Sequence, residues 1–170
     1  MMSGFNIREA REEDIDDIYR MLYELAKDLN ETEAVHVTPA ILRENQKLYK
    51  CFVTEDNVTD DYGTRPLIGF AQYVYRFDGW EGLVAILDNI WVDPRHRNRG
   101  IGSALYKAVA REAVASGCIF LEQLVHDWNT SAKEFYKAKG AYDYTEKMKG
   151  HVFRTPRSKL EELSNRKQNS

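Results

Sequence analysis

The apolar run Ile86-Leu87-Asp88-Asn89-Ile90-Trp91-Val92 leads almost directly into Arg95-His96-Arg97-Asn98-Arg99-Gly100-Ile101-Gly102-Ser103. A helical pattern carrying Ala104, Leu105, Ala108, Val109 and Ala113 follows. A buried strand, a basic glycine-bearing turn and a helix start, in that order, restrict the chain to an α/β arrangement. They also make a phosphate site. The N–H groups of a helical first turn lack intrahelical partners, and the helix dipole adds partial positive charge there. Gly100 and Gly102 let phosphate oxygens approach the backbone, and Arg95, Arg97 and Arg99 add charge and forked donors. The competing reading is a plain strand-to-helix turn with a solvated basic patch. No Gly-Lys-Ser/Thr closes the turn, so it is not a nucleoside-triphosphate loop. The Gly-x-Gly-x-x-Gly dinucleotide spacing is missing as well.

The bulk properties narrow the context. The chain has 170 residues, which fits one domain over 1–170 with a core at about 5–163 and a tail at 164–170. Its formal net charge is −3 with both signs spread widely, so the basic cluster is local and no nucleic-acid partner is expected. Cys51 and Cys118 lie in apolar runs and read as buried, reduced thiols. No apolar run approaches the ~18 residues of a membrane span, and the start of the chain does not read as a signal peptide. The expectation is a soluble, cytoplasmic protein without a membrane partner. His36, His96, His126 and His151 show no ligand spacing, so no metal is expected, and His96 reads as a solvated side chain.

Periodicity supplies the remaining elements. Phe5–Glu9 reads as a strand, and Ile15, Ile18, Leu22, Leu25 and Leu29 make one apolar helical stripe. Thr38-Pro39 caps and opens a second helix to about Leu48. Tyr49–Thr54 and Leu67–Phe77 read as strands, Asp78-Gly79 as a turn, and Leu83–Val92 as the strand before the basic turn. The helix after that turn ends near Gly117, and Ile119–Val125 is a further strand. Asn129 or Thr130 caps a helix through Lys139. Residues 141–155 read as a final hairpin or strand pair, and Ser158–Leu163 as a short helix.

Arg97-Asn98-Arg99-Gly100-Ile101-Gly102 resembles the Arg/Gln-x-x-Gly-x-Gly/Ala signature of the GCN5-related N-acetyltransferases, and the element order is similar over essentially the whole chain. Phe77-Asp78-Gly79-Trp80, Asp127-Trp128-Asn129 and Phe135-Tyr136-Lys137-Ala138-Lys139-Gly140 further resemble the diamine (spermidine/spermine) and thialysine acetyltransferase branch. The resemblance implies a mixed, mostly antiparallel sheet with helices on both faces and a splayed strand pair. It implies transfer of acetyl from acetyl-CoA to a primary amine, and a homodimer. Ile90, Trp91 and Val92 would pair with pantetheine through their backbones. Arg97, Asn98, Arg99, Gly100, Ile101, Gly102 and Ser103 would cradle the pyrophosphate. Asn129, Thr130, Ser131, Ala132 and Tyr136 would complete the coenzyme side.

Such a reaction has two proton problems: the ammonium must lose a proton, and the departing thiolate must gain one. Tyr136 matches the family's catalytic tyrosine, and a phenol with pKa about 10 is a competent acid at neutral pH. Read without the resemblance, it is a helix tyrosine packing on Phe135. Asp88 interrupts an apolar strand and is the expected base or amine anchor; otherwise it caps a strand end or pairs with an arginine. Relatives in the branch carry Glu-Asp where this chain has Asp88-Asn89. The carboxylate is thus shorter and one charge is lost, which favours a lysine-like amine such as thialysine over a polyamine. Asp78 and Trp80 are expected to wall the amine channel by charge and cation–π contact, and Asp28 to touch substrate. An acetyltransferase for protein lysines or N-termini, or a non-catalytic CoA-binding module, would share most of these features.

Overall fold

The computed structural model describes residues 4–59 and 63–165. The expected tail at 166–170 lies outside the described residues. The chain divides into two compact units, Met1–Leu124 and Val125–Ser170.

The first unit is built on one sheet in the order β1 (Phe5–Glu9), β2 (Lys50–Asp56), β3 (Leu67–Asp78), β4 (Gly82–Val92), β5 (Phe120–Gln123). The first four strands pair antiparallel, and β4 pairs with β5 in parallel across the helix α3 (Ile101–Ala115). Parallel neighbours need such a crossover, whereas β3 and β4 are joined by a tight turn. The sheet is therefore mixed and mostly antiparallel, as expected.

Its two faces carry different helices. Val53, Phe70 and Trp91 stand opposite one another across β2, β3 and β4 and share one face. Ile18 and Met21 of α1 (Ile15–Asp28) pack against them. Gly69, one residue before Phe70, points the other way, and there α3 comes so close that a Cβ would lie 3.4 Å from Leu105 and 3.5 Å from Ile101. The same Cβ would lie 3.0 Å from the Trp91 carbonyl oxygen, so a side chain at this position would push the helix or β4 away.

The apolar stripe of α1 serves two purposes. Ile15 and Ile18 are fully buried with Met21, whereas Leu22, Leu25 and Leu29 are half-buried and line a cavity. Thr38 caps α2 (Pro39–Glu44) by accepting from the Ile41 N–H at 3.3 Å, with Pro39 in the first turn. The predicted continuation to Leu48 is corrected. Asn45 leaves helical geometry, its amide donates to the Ile41 carbonyl at 2.8 Å, and only a 3-10 turn follows at Gln46–Leu48.

A buried ion network closes the far end of the sheet. Arg8 on β1 donates to both carboxylate oxygens of Asp14, at 2.7 and 2.9 Å, and to Glu55 on β2 at 2.5 Å. Asp14 also accepts from the Arg11 N–H at 2.6 Å. Burial pushes the Asp14 carboxyl up, but Arg8 and the Arg11 N–H outweigh it and hold it below its ordinary value. Arg8 likewise lowers Glu55. Asp14→Ala removes the two-pronged carboxylate contact and leaves Glu55 as the guanidinium's charged partner, and is expected to cost about 2 kcal/mol in urea unfolding with an unchanged m value. Because both carboxyls titrate below their unfolded values, their contribution is present at neutral pH. It is lost as pH falls below about 4. An acid titration of wild type against Asp14→Ala should therefore show the two stabilities converging.

The second unit contains α4 (Thr130–Lys137), α5 (Thr145–Met148) and α6 (Arg157–Asn165). α4 ends two residues before the predicted Lys139. The predicted hairpin over 141–155 is corrected: that stretch holds α5 and loops, with no strand among its residues. Its apolar residues Tyr142, Val152 and Phe153 are exposed, so no sheet face exists to bury alternating side chains. Among the described residues, no helix is long and apolar enough to cross a membrane.

Candidate active site

The centre of the site is a defect in β4. The β3–β4 register runs from Tyr73 opposite Leu87 to Gln72 opposite Asn89, which leaves Asp88 as an extra residue. This is a β-bulge, a device that turns a side chain out of the regular alternation. The ladder between β4 and β5 covers only Val84–Leu87 on β4, so β4 runs on past its parallel neighbour from the bulge onward. The ladder ends where β5 itself ends, at Gln123, directly before the bulge. The edge of Ile90, Trp91 and Val92 is available for pairing with an extended ligand.

Asp88 and Asn89 line a cavity of about 380 Å³. Leu22, Leu25 and Leu29 form one wall, Val35, Val37 and Leu42 another, and Gln72 sits beside the bulge. Asn89 donates to the Gln72 side-chain oxygen at 2.9 Å, so the two amides fix each other. Burial on its protein side pushes the Asp88 carboxyl above its ordinary value. The result is a solvent-accessible carboxylate of raised basicity on the lining of an open, largely apolar cavity, which suits an alkylammonium. Glu31 and His36 also line the same cavity. Sequence reasoning missed Gln72, although a lone amide in the run Leu67–Phe77 is the same kind of signal as Asp88. Glu31 and His36 gave no signal, because they reach the cavity from a loop.

The basic turn lies at the end of β4. Gly100 has φ 80° and is the residue before α3, a left-handed conformation that favours glycine. The first α-helical bond runs from the Ala104 N–H to the Gly100 carbonyl at 3.0 Å, leaving the amides of Ile101, Gly102 and Ser103 without helical acceptors. A Cβ on Gly102 would meet only Val92 at 3.9 Å, so the protein's own packing does not require a glycine there.

The arginines of the turn are engaged with protein groups. Arg95 forks onto Asp93 at 3.1 and 2.7 Å and, with desolvation opposing, holds that carboxyl down at about 2. Arg97 donates to the Val92 carbonyl at 3.0 Å and to Asp28 at 2.7 Å. Arg99 donates to the Gly4 carbonyl at 3.0 Å and lies 3.9 Å from Asp56. Asn98 has φ 62°, so it helps shape the turn through its backbone. The anion donors that this geometry offers are therefore first-turn amides, while the guanidiniums hold the turn in place. The solvated reading of His96 is corrected: its Nε2 lies 3.1 Å from Asp56 and the side chain is 19% exposed.

The remaining expected site residues separate. Asp28 accepts from the Trp91 indole at 3.0 Å and from Arg97, and it does not line the Asp88 cavity. Asp78 accepts from the Trp80 and Glu81 N–H groups at 2.8 and 3.1 Å, ordinary turn chemistry that lowers its pKa. Trp80 is 98% exposed. Both sit at the tip of the β3–β4 hairpin, about 20 Å along the strand from the bulge at ~3.3 Å per residue. They therefore do not wall the cavity within this chain.

In the second unit, Asn129 caps α4 by accepting from the Ala132 N–H at 3.1 Å, with Thr130 and Ser131 in the first turn. Tyr136 is the buried residue of that helix, with its ring 5.2 Å from Phe135 in an edge-to-face arrangement. The Phe135 contact read from the sequence is thus present.

Comparison with known proteins narrows the possibilities. A profile of the acetyltransferase (GNAT) family matches residues 13–141. A thialysine N-epsilon-acetyltransferase from Bos taurus is 34% identical over 168 residues, covering 96% of this chain and 99% of that protein. Spermidine/spermine N(1)-acetyltransferase-like protein 1 from Homo sapiens is 30% identical over 96% of this chain, which spans 24% of that longer protein. Among solved structures, aminoglycoside N-acetyltransferase AAC(6')-Iy in complex with CoA aligns with TM-score 0.68 and 20% identity, covering 92% of this chain and 97% of that one, a likeness of fold alone.

Proposed function

The chain belongs to the acetyltransferase (GNAT) family, and from that premise we propose that it acetylates the terminal primary amine of a small lysine-like compound, with acetyl-CoA as donor. The observation that carries this reading is Asp88, a carboxylate of raised proton affinity at a strand bulge, facing an apolar-walled cavity of about 380 Å³. Methylene groups fit the leucine and valine walls, and the ammonium fits the carboxylate.

Acetyl-CoA supplies an activated acyl carbon and a thiol leaving group. The backbone of Ile90–Val92 and the first-turn amides of α3 are the groups that fit its extended arm and its phosphates. Asp88 accepts the proton that the ammonium must lose, which exposes the nitrogen lone pair for attack. The C–N bond forms as the C–S bond breaks, the Tyr136 hydroxyl gives its proton to sulfur, and the second proton of the acylated nitrogen passes to water, from which the phenolate is reprotonated. Tyr136 takes this role from its match to the family tyrosine in Phe135-Tyr136-x-x-x-Gly140. Direct transfer fits the thiols. Burial pushes Cys51 up to about 12 and raises Cys118 as well, so neither is a ready nucleophile for an acyl-enzyme.

Amine selectivity follows from charge. Asn89 is neutral and committed to Gln72, so at the bulge itself Asp88 is the one carboxylate for an ammonium, with Glu31 reaching the same cavity from the loop after α1. Thiol release from acetyl-CoA with thialysine, lysine, putrescine, spermidine, spermine and a lysine-bearing peptide tests the proposal. Preference for thialysine or another lysine-like amine supports it, whereas a peptide preference moves the chain to protein substrates. Asn89→Asp restores a second charge. It should raise kcat/KM for spermidine relative to thialysine by about tenfold, the scale of one added charge contact. An unchanged ratio would show that this position does not set selectivity.

A further inference from the structure

We propose that Asp28 is a positioning residue that joins the wall of the amine cavity to the coenzyme turn, so that filling the turn orders the cavity wall. The inference rests on the assignment of that turn to the coenzyme and goes beyond it.

Asp28 is the last residue of α1, where a carboxylate is disfavoured by the helix dipole. Its placement there needs a compensating partner, and it has two. One carboxylate oxygen, Oδ2, accepts from the Arg97 guanidinium at 2.7 Å and from the Trp91 indole at 3.0 Å. The same guanidinium donates through Nε to the Val92 carbonyl at 3.0 Å. Three elements thus meet at one oxygen: the end of α1, the half of β4 after the bulge, and the first residue of the turn Arg97–Gly102. The fork of an arginine is rigid, so moving one of these groups moves the others.

What hangs from Asp28 is the cavity wall. Leu22, Leu25 and Ala26 line the cavity from the preceding turns of α1, and Leu29, Val35 and Val37 line it from the segment that follows. That segment leaves the helix through Asn30 at φ 57°, and the Glu31 N–H donates back to the Ala26 carbonyl at 2.8 Å. A 3-10 turn at Thr32–Ala34 then closes locally, with the Val35 N–H donating to Thr32 at 3.3 Å. The end of α1 therefore sets where the segment lies.

The Asp28 and Arg97 side chains are 44% and 46% exposed, so their pairing contributes little to overall stability. Its consequence is orientation. An anion held by the amides of Ile101–Ser103 settles the turn, the turn settles the guanidinium, and the guanidinium settles the end of α1. Linkage makes this reciprocal, and amine and coenzyme should strengthen each other's binding by about tenfold.

Amide hydrogen exchange on the full chain, with and without CoA, tests the proposal without requiring turnover. In wild type, CoA is expected to slow exchange at residues 97–103 and also at 29–37. In Asp28→Asn, which loses the charge that holds the guanidinium, the first effect should persist and the second should disappear, and Asp28→Glu, which keeps the carboxylate, should restore part of it. Protection of 97–103 alone in wild type, or equal protection of 29–37 in wild type and Asp28→Asn, would overturn the inference and leave the coenzyme site standing. Absence of CoA protection at 97–103 in wild type would overturn both.

Discussion

Asp88→Asn is expected to lower kcat/KM by about 10²- to 10⁴-fold, the range for losing a positioned general base. The amide keeps the size and the bulge, so the loss reports on proton uptake and not on folding. A second consequence has the opposite sign. The Asp88 carboxyl titrates above its ordinary value because burial disfavours its charge. The folded state therefore binds this proton more tightly than the unfolded chain. Ionised Asp88 costs stability at every pH above the ordinary carboxylate range near about 4. Asp88→Asn should accordingly unfold at a slightly higher urea concentration than wild type at neutral pH, with the gap vanishing in acid. Wild-type kcat/KM should fall on the acidic side at a pH above that ordinary range. A fully active variant would remove Asp88 from the mechanism as drawn, and one less stable than wild type at neutral pH would refute the burial penalty on its charge.

Tyr136→Phe is expected to lower kcat by about 10²-fold or more with only a modest change in CoA affinity. The substitution removes one oxygen and leaves the ring, so the edge-to-face contact with Phe135 persists. An interaction made as the thiolate departs, and absent in the ground state, lowers kcat without raising KM. The distinguishing measurement compares acetyl-CoA with a thioester whose leaving thiol is more acidic. The deficit of Tyr136→Phe should shrink with the better leaving group. An equal deficit for both, or near-wild-type kcat, would assign Tyr136 to packing alone.

Much of the site was legible because each feature broke a local pattern. Asp88 stands out as a carboxylate in an apolar strand, and Gly100 and Gly102 stand out between a strand and a helix. Asn129 announces a helix cap, and the structure uses it as one. Asp78, Trp80 and Asp28, which the resemblance marks for the amine, lie apart from the Asp88 cavity within this chain. Asp78 instead spends its carboxylate on two backbone amides of its own turn, and Asp28 joins Arg97 to Trp91. A carboxylate looks the same in sequence whether its partner is a ligand, a backbone N–H or a guanidinium distant in the chain.

The sequence by itself determined the order of elements through β5 and α4, the glycine-bearing turn after β4 and the presence of a carboxylate on β4. These follow from short-range physics: side-chain periodicity, capping, and the conformational freedom of glycine. Tertiary structure alone decided the bulge at Asp88, the splitting of the α1 stripe into core and cavity wall, and the partners of Arg97, Arg99 and His96. Strand register depends on how two distant segments pair, and one residue of slip moves every later side chain to the other face. Leu22 and Ile18 are equivalent on a helical wheel, and only what packs opposite them makes one a cavity wall and the other core.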